Sequence, residues 1–139
     1  MTLRRFLAPA ALACLLFGAD NKTARKAEPR YEMTRYVVGL FHRGPNSSPQ
    51  QTEESRRIQE GHMANIRKMA EAGKLIVAGP FIDGGDLRGI LIFKLDSVDE
   101  ARALVEADPA VQAGRLTIEL HPWFAAAGLR VNPPKNPAE

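Results

Sequence analysis

His62 is the residue in this 139-residue chain best suited to chemistry. It follows Gly61 in a stretch with apolar residues at helical spacing, and an imidazole exchanges protons near neutral pH, so it can act as general acid or base. Asp108 is its candidate partner, because a carboxylate fixes which ring nitrogen carries the proton. Each residue also has a plain alternative. His62 can be a buried histidine bonded to backbone, or a helix-surface residue. Asp108 precedes Pro109, and that pair suits the N-cap of a short helical turn.

Other positions offer less chemistry. Gly79-Pro80 interrupts an apolar run. Proline removes a ladder donor, so the strand there must bend or lie at an edge, and either a ligand carbonyl or a simple bulge can use the opening. Asp83 and Asp86 flank two glycines and fit a hairpin turn; two carboxylates fall short of a calcium loop. Arg43 and Arg88 can pair with an anionic substrate. His42 and His121 fall at strand ends, and none of the three histidines has metal-ligand spacing. No phosphate loop, nucleophile elbow or dinucleotide fingerprint occurs. Cys14, the one cysteine, lies in the leader, which leaves the domain no disulfide, thiolate nucleophile or cysteine ligand.

These residues need elements to hold them. Leu75–Phe81 and Gly89–Leu95, rich in β-branched and aromatic residues, flank Asp83-Gly84-Gly85-Asp86 and predict a central β-hairpin with one face against helices. Before it, Tyr36–His42 reads as a strand, and a helix runs from Ser48-Pro49 or Thr52, the two competing caps, to Gly73. Ile58, His62, Ile66 and Met69 recur on one side of that helix, with Ala70 extending the face. Gly61 costs about 1 kcal/mol of helix propensity, and its place there is explained if another element or a ligand approaches the backbone. After the hairpin, Ser97 and Glu100 form a capping box for a second helix packed through Ala101, Leu104 and Val105. Leu116–Leu120 is the last strand, with Leu116, Ile118 and Leu120 facing one way and Thr117, Glu119 and His121 the other. Pro122 closes it.

The order strand-helix-strand-strand-helix-strand predicts a ferredoxin-like α+β fold, βαββαβ, in which a four-stranded antiparallel sheet carries two helices on one face. Two helices cannot cover both faces, so a symmetric homodimer with sheets packed face to face is expected. Lys and Arg number 12 against 13 Asp and Glu between Tyr31 and Val131, so the domain lacks the basic footprint of a nucleic-acid surface despite the chain's net charge of +3.

Residues 1–24, with Arg4-Arg5 and an apolar run from Phe6 to Ala19, have the shape of a secretory signal and are short for a membrane span. No stable membrane insertion is expected once such a leader is removed. Export to the periplasm follows if the leader is real; translation from Met33 gives a cytoplasmic protein instead. Residues 25–33 read as a linker, 34–128 as the α+β domain and 129–139 as a flexible tail.

From Tyr36 to Phe124 the chain resembles the YCII-related (YciI-like) domain family. The resemblance rests on Gly61-His62, on AGKLIVAGPF with its Gly-rich turn and Gly89, on Ala107-Asp108-Pro109, and on Glu119-Leu120-His121-Pro122-Trp123. It implies a ferredoxin-like domain that dimerises as an α+β barrel, with a pocket in each protomer. It implies His62 and Asp108 as the catalytic or ligand-binding pair, with Gly61, Gly79, Pro80 and Arg88 as candidate pocket residues. Two functions are compatible. One is a cofactor-independent lyase, isomerase or dehydrochlorinase that moves a proton on a small anionic or aromatic substrate. The other is a non-catalytic small-molecule-binding or accessory module.

Overall fold

The computed structural model describes residues 30–131, so the expected leader, most of the linker and the end of the tail lie outside the described residues. The elements run β1 (Met33–Arg43), α1 (Glu53–Glu71), β2 (Leu75–Pro80), β3 (Leu87–Phe93), α2 (Val98–Glu106), α3 (Pro109–Gln112) and β4 (Leu116–Ala126). All strand pairs are antiparallel, in the order β2-β3-β1-β4. This is a roughly ferredoxin-like α+β arrangement with one extra turn, α3.

Alternation on β1 sends Val37 and Phe41 toward the helices, where they meet Leu91 and Phe93 of β3. Met69, Leu75, Ala101 and Val105 complete the buried cluster, and Leu116, Ile118 and Leu120 of β4 pack against it. Phe93, Val37 and Val105 have no exposed surface at all, so this single layer between sheet and helices is the core.

Several expectations are corrected. The sheet is open: β2 and β4 are its free edges and no ladder joins them, so it does not form the α+β barrel. β1 and β3 lie between these edges, so neither edge strand reaches the other to close the sheet. The hairpin is not central either, because β2 is an edge strand and β1 and β3 fill the middle. That edge position accommodates Pro80, whose missing N–H interrupts no second ladder. The register shift in β2 falls instead between Leu75 and Val77. β4 runs through Pro122 to Ala126, again because an edge strand tolerates proline, and β1 pairs with it along its whole length.

At the start of α1, Thr52 is the cap rather than Ser48. Its hydroxyl accepts from the Ser55 N–H at 3.0 Å, while the Ser55 hydroxyl accepts from the Thr52 N–H at 2.9 Å. Glu53 and Glu54 in the first turn suit the positive end of the helix. Gly73, at φ +70, closes α1 with the Lys74 N–H on the Met69 carbonyl and the Gly73 N–H on that of Ala70. Ala70 itself is exposed; Asn65 and Ile66 take the inner side beside His62. Ser97 caps α2 through the Glu100 N–H at 3.2 Å, but the Glu100 carboxylate turns to Lys74 Nζ at 2.8 Å instead of completing a capping box.

Gly61 lets α1 and α3 touch. A Cβ placed there would stand 2.8 Å from Pro109 Cγ, so the missing side chain sets how closely the turn before Pro109 approaches His62. Gly61→Ala gains about 1 kcal/mol of helix propensity and loses about 1–3 kcal/mol to overpacking. A net destabilisation of about 1 kcal/mol is expected in urea melts. The Gly61→Ala/Pro109→Ala double variant should recover most of it, and a coupling energy near zero would contradict this account of the contact.

Candidate functional site

Asp108 sits between α2 and α3 with no exposed surface. It caps α3, its Oδ1 accepting from the Ala110 N–H at 2.9 Å, and in doing so it also meets His62, whose Nδ1 lies 3.0 Å from Oδ1 and 2.9 Å from Oδ2. The two readings of Asp108 from sequence are therefore both realised, because a carboxylate has lone pairs enough for both donors.

Asn65 is the member that sequence reasoning missed. Its Nδ2 donates to Asp108 Oδ2 at 3.1 Å and reaches the Leu104 carbonyl at 3.4 Å. The signal available for it was its spacing, three residues beyond His62 on the same helix face.

Burial by itself would push the Asp108 carboxyl up. The hydrogen bond and charge of His62, with the Ala110 N–H and the Asn65 amide, outweigh it and hold the group below its ordinary value. An ionised carboxylate only accepts, so the ring proton of His62 sits on Nδ1, and the neutral ring keeps a lone pair on Nε2. The ring packs edge-on against Phe41, with centroids 5.6 Å apart, and its side chain is 12% exposed. This buried pair can take up and return a proton.

A cleft of about 350 Å³ opens beside His62. α1 contributes Gln59, His62, Met63 and Ile66; β2 and the β3 side contribute Ala78, Gly79, Pro80, Arg88, Gly89, Ile90 and Leu91; Phe41 and Leu116 complete the lining. Gly79, Pro80 and Arg88 thus share one cavity with His62. Gly61 does not line it, since it faces Pro109. Asp108 lies behind the wall, reaching the cavity through the imidazole.

The remaining candidates have local partners. Asp83 Oδ1 accepts from the Gly85 N–H at 3.1 Å, inside a turn where Gly84 has φ +73. Arg43 braces the same turn through the carbonyls of Gly84 and Gly85, each at 3.4 Å. On the sheet face away from the helices, His42 bonds Asp86 at 3.0 Å and Glu119 at 3.1 Å, and His121 bonds Glu119 at 2.8 Å. The hydrogen bonds that the His42 ring donates to Asp86 and then to Glu119 raise His42 above its ordinary value, so its small stabilising share is present below about pH 6.5 and fades as pH rises through the shifted value. Among the described residues no helix is long and apolar enough to cross a membrane.

The YCII-related domain matches residues 37–123, more than half of the chain, and the chain belongs to that family. No curated protein matches it. Among solved structures it is similar to a 5-chloro-2-hydroxyhydroquinone dehydrochlorinase from Burkholderia phenoliruptrix AC1100, in complex with 2,5-dihydroxybenzoquinone. The identity is 22% over 65% of this chain and 93% of that one, with a TM-score of 0.46.

Asp108→Ala should cost about 3 kcal/mol in urea melts, because three donors lose a buried charged acceptor. The sign of the pH effect follows from the lowered carboxyl. Its contribution is complete above the ordinary value of 3.8 and is lost as pH falls through the lower folded value. The stability gap between wild type and Asp108→Asn should therefore narrow on acidification, and parallel pH curves would contradict the assignment.

Proposed function

We propose that the protein is a small cofactor-independent enzyme that carries out elimination, dehydrochlorination included, or isomerisation on a small anionic or aromatic molecule. The observation that carries this reading is the His62–Asp108 pair set in the wall of a cleft of molecular size. His62 Nε2 takes a proton from the substrate. The electron pair left behind forms the new double bond as the leaving group departs, or shifts along the ring in an isomerisation. Asp108 holds the imidazole in the Nδ1–H tautomer and stabilises the imidazolium that forms. Arg88 offers the charge that an anionic substituent would meet, and Met63, Ile66, Phe41 and Leu91 give the apolar walls that suit a ring.

A panel of hydroxylated and halogenated cyclic acids, incubated with the full chain and followed by mass spectrometry, tests the reaction. Product formation should fall about 10²–10⁴-fold in His62→Ala and more than about tenfold in Asp108→Asn. Compounds that bind wild type and both variants equally, with no product from any of them, would overturn catalysis in favour of a binding module.

The same reading includes a homodimer. Val38, Leu40, Ile90 and Ile92 remain half-exposed on the sheet face away from the helices, with Trp123 at 40% exposure near its end. A second copy laid on that face would remove this apolar surface from water. Sedimentation equilibrium should return twice the chain mass, and Leu40→Lys should lower it toward the monomer; a monomeric wild type at all concentrations would sink the dimer.

A further inference from the structure

We propose that Asn65 is a positioning residue for the His62–Asp108 pair, an inference that rests on the acid–base reading of that pair. The carboxylate of Asp108 is held at Oδ1 by a backbone donor whose place α3 fixes. Held there alone, it still has a soft torsion about Cβ–Cγ. His62 cannot be the second pin and also the group being positioned, and its one Nδ1–H lies almost equally between the two oxygens. Asn65 supplies the missing restraint at Oδ2.

The orientation of its amide follows from its neighbours. Asp108 Oδ2 and the Leu104 carbonyl both accept only, so the NH2 end faces them. One amide thereby ties α1 to the end of α2 and to the carboxylate beyond it. Because Asn65 and His62 sit one turn apart on α1, the helix that carries the base also carries the clamp on the base's partner. Asn65 is absent from the lining of the cleft, so it acts through Asp108 and His62 and touches no ligand.

Nitrogen-15 labelling of the histidine rings in the full chain reads this directly, with the His62 signals assigned by their loss in His62→Ala. In wild type the neutral ring should show a protonated Nδ1 and an unprotonated Nε2. Asn65→Leu, nearly the same size without a donor, should keep its circular dichroism and cooperative melt yet move the tautomer ratio about tenfold toward the Nε2–H form. On any substrate found, kcat should fall with KM nearly unchanged. If Asn65→Leu does not fold, Asn65→Ala and Asn65→Ser are read in its place. Unchanged His62 signals in a folded variant overturn the proposal, as does failure of all three variants to fold, which assigns Asn65 to the fold itself. A tautomer shift accompanied by full turnover in His62→Ala would leave Asn65 as the positioning residue and reject the enzymatic reading alone.

Discussion

A charged carboxylate sealed between two helices is the constraint from which the rest of this structure follows. Taking Asp108 out of water is tolerable only because the Ala110 N–H, the Asn65 amide and the His62 ring all converge on it. The three donors come from two different parts of the chain, so the carboxylate can be satisfied only when α1 lies against the α2–α3 junction. Gly61 permits that approach by leaving Pro109 the room a side chain would fill. Packing and charge compensation thus impose the same geometry, and His62 is held by both.

The sheet has the complementary task. Val37, Phe41, Leu91 and Phe93 anchor the helices to one face, and β2 with its neighbour β3 stands far enough from α1 to leave a cleft. Phe41 links the two tasks, since its ring belongs to the core cluster and also meets the edge of the imidazole. The His62 ring therefore has an apolar wall on one side, a charge behind it and the cavity in front.

Much of the fold was legible because its signals are local. The Asp83–Asp86 turn, the Ser97 cap and the alternation of Leu116, Ile118 and Leu120 each depend on residues a few positions apart, and each element formed. What depended on neighbours distant in the chain was read less well. Strand order put β2 at an edge, which explains Pro80 without a bulge beside it, and put β4 at the other, which let the strand continue past Pro122. Apolar counting along α1 gave Ala70 to the inner face and passed over Asn65, because a polar residue earns no weight in such a pattern until its partner is known. The pairing of His62 with Asp108 was suggested by their chemistry and strengthened by the family resemblance, since a separation of 46 positions carries no spacing rule. The barrel came from the same source and did not hold for a four-stranded sheet with two open edges.

Asp108 stands behind the cleft wall, and this separates two kinds of change open to the molecule. The groups that ready the imidazole, Asn65, Asp108 and the Ala110 N–H, lie outside the cavity lining, whereas Gln59, Met63, Ala78 and Ile90 line it and contribute no bond to the carboxylate. Substitutions at the lining alter shape and polarity while leaving the proton apparatus in place. Cleft shape and the hold on the His62 ring are thus carried by separate sets of residues, so either can change while the other stays.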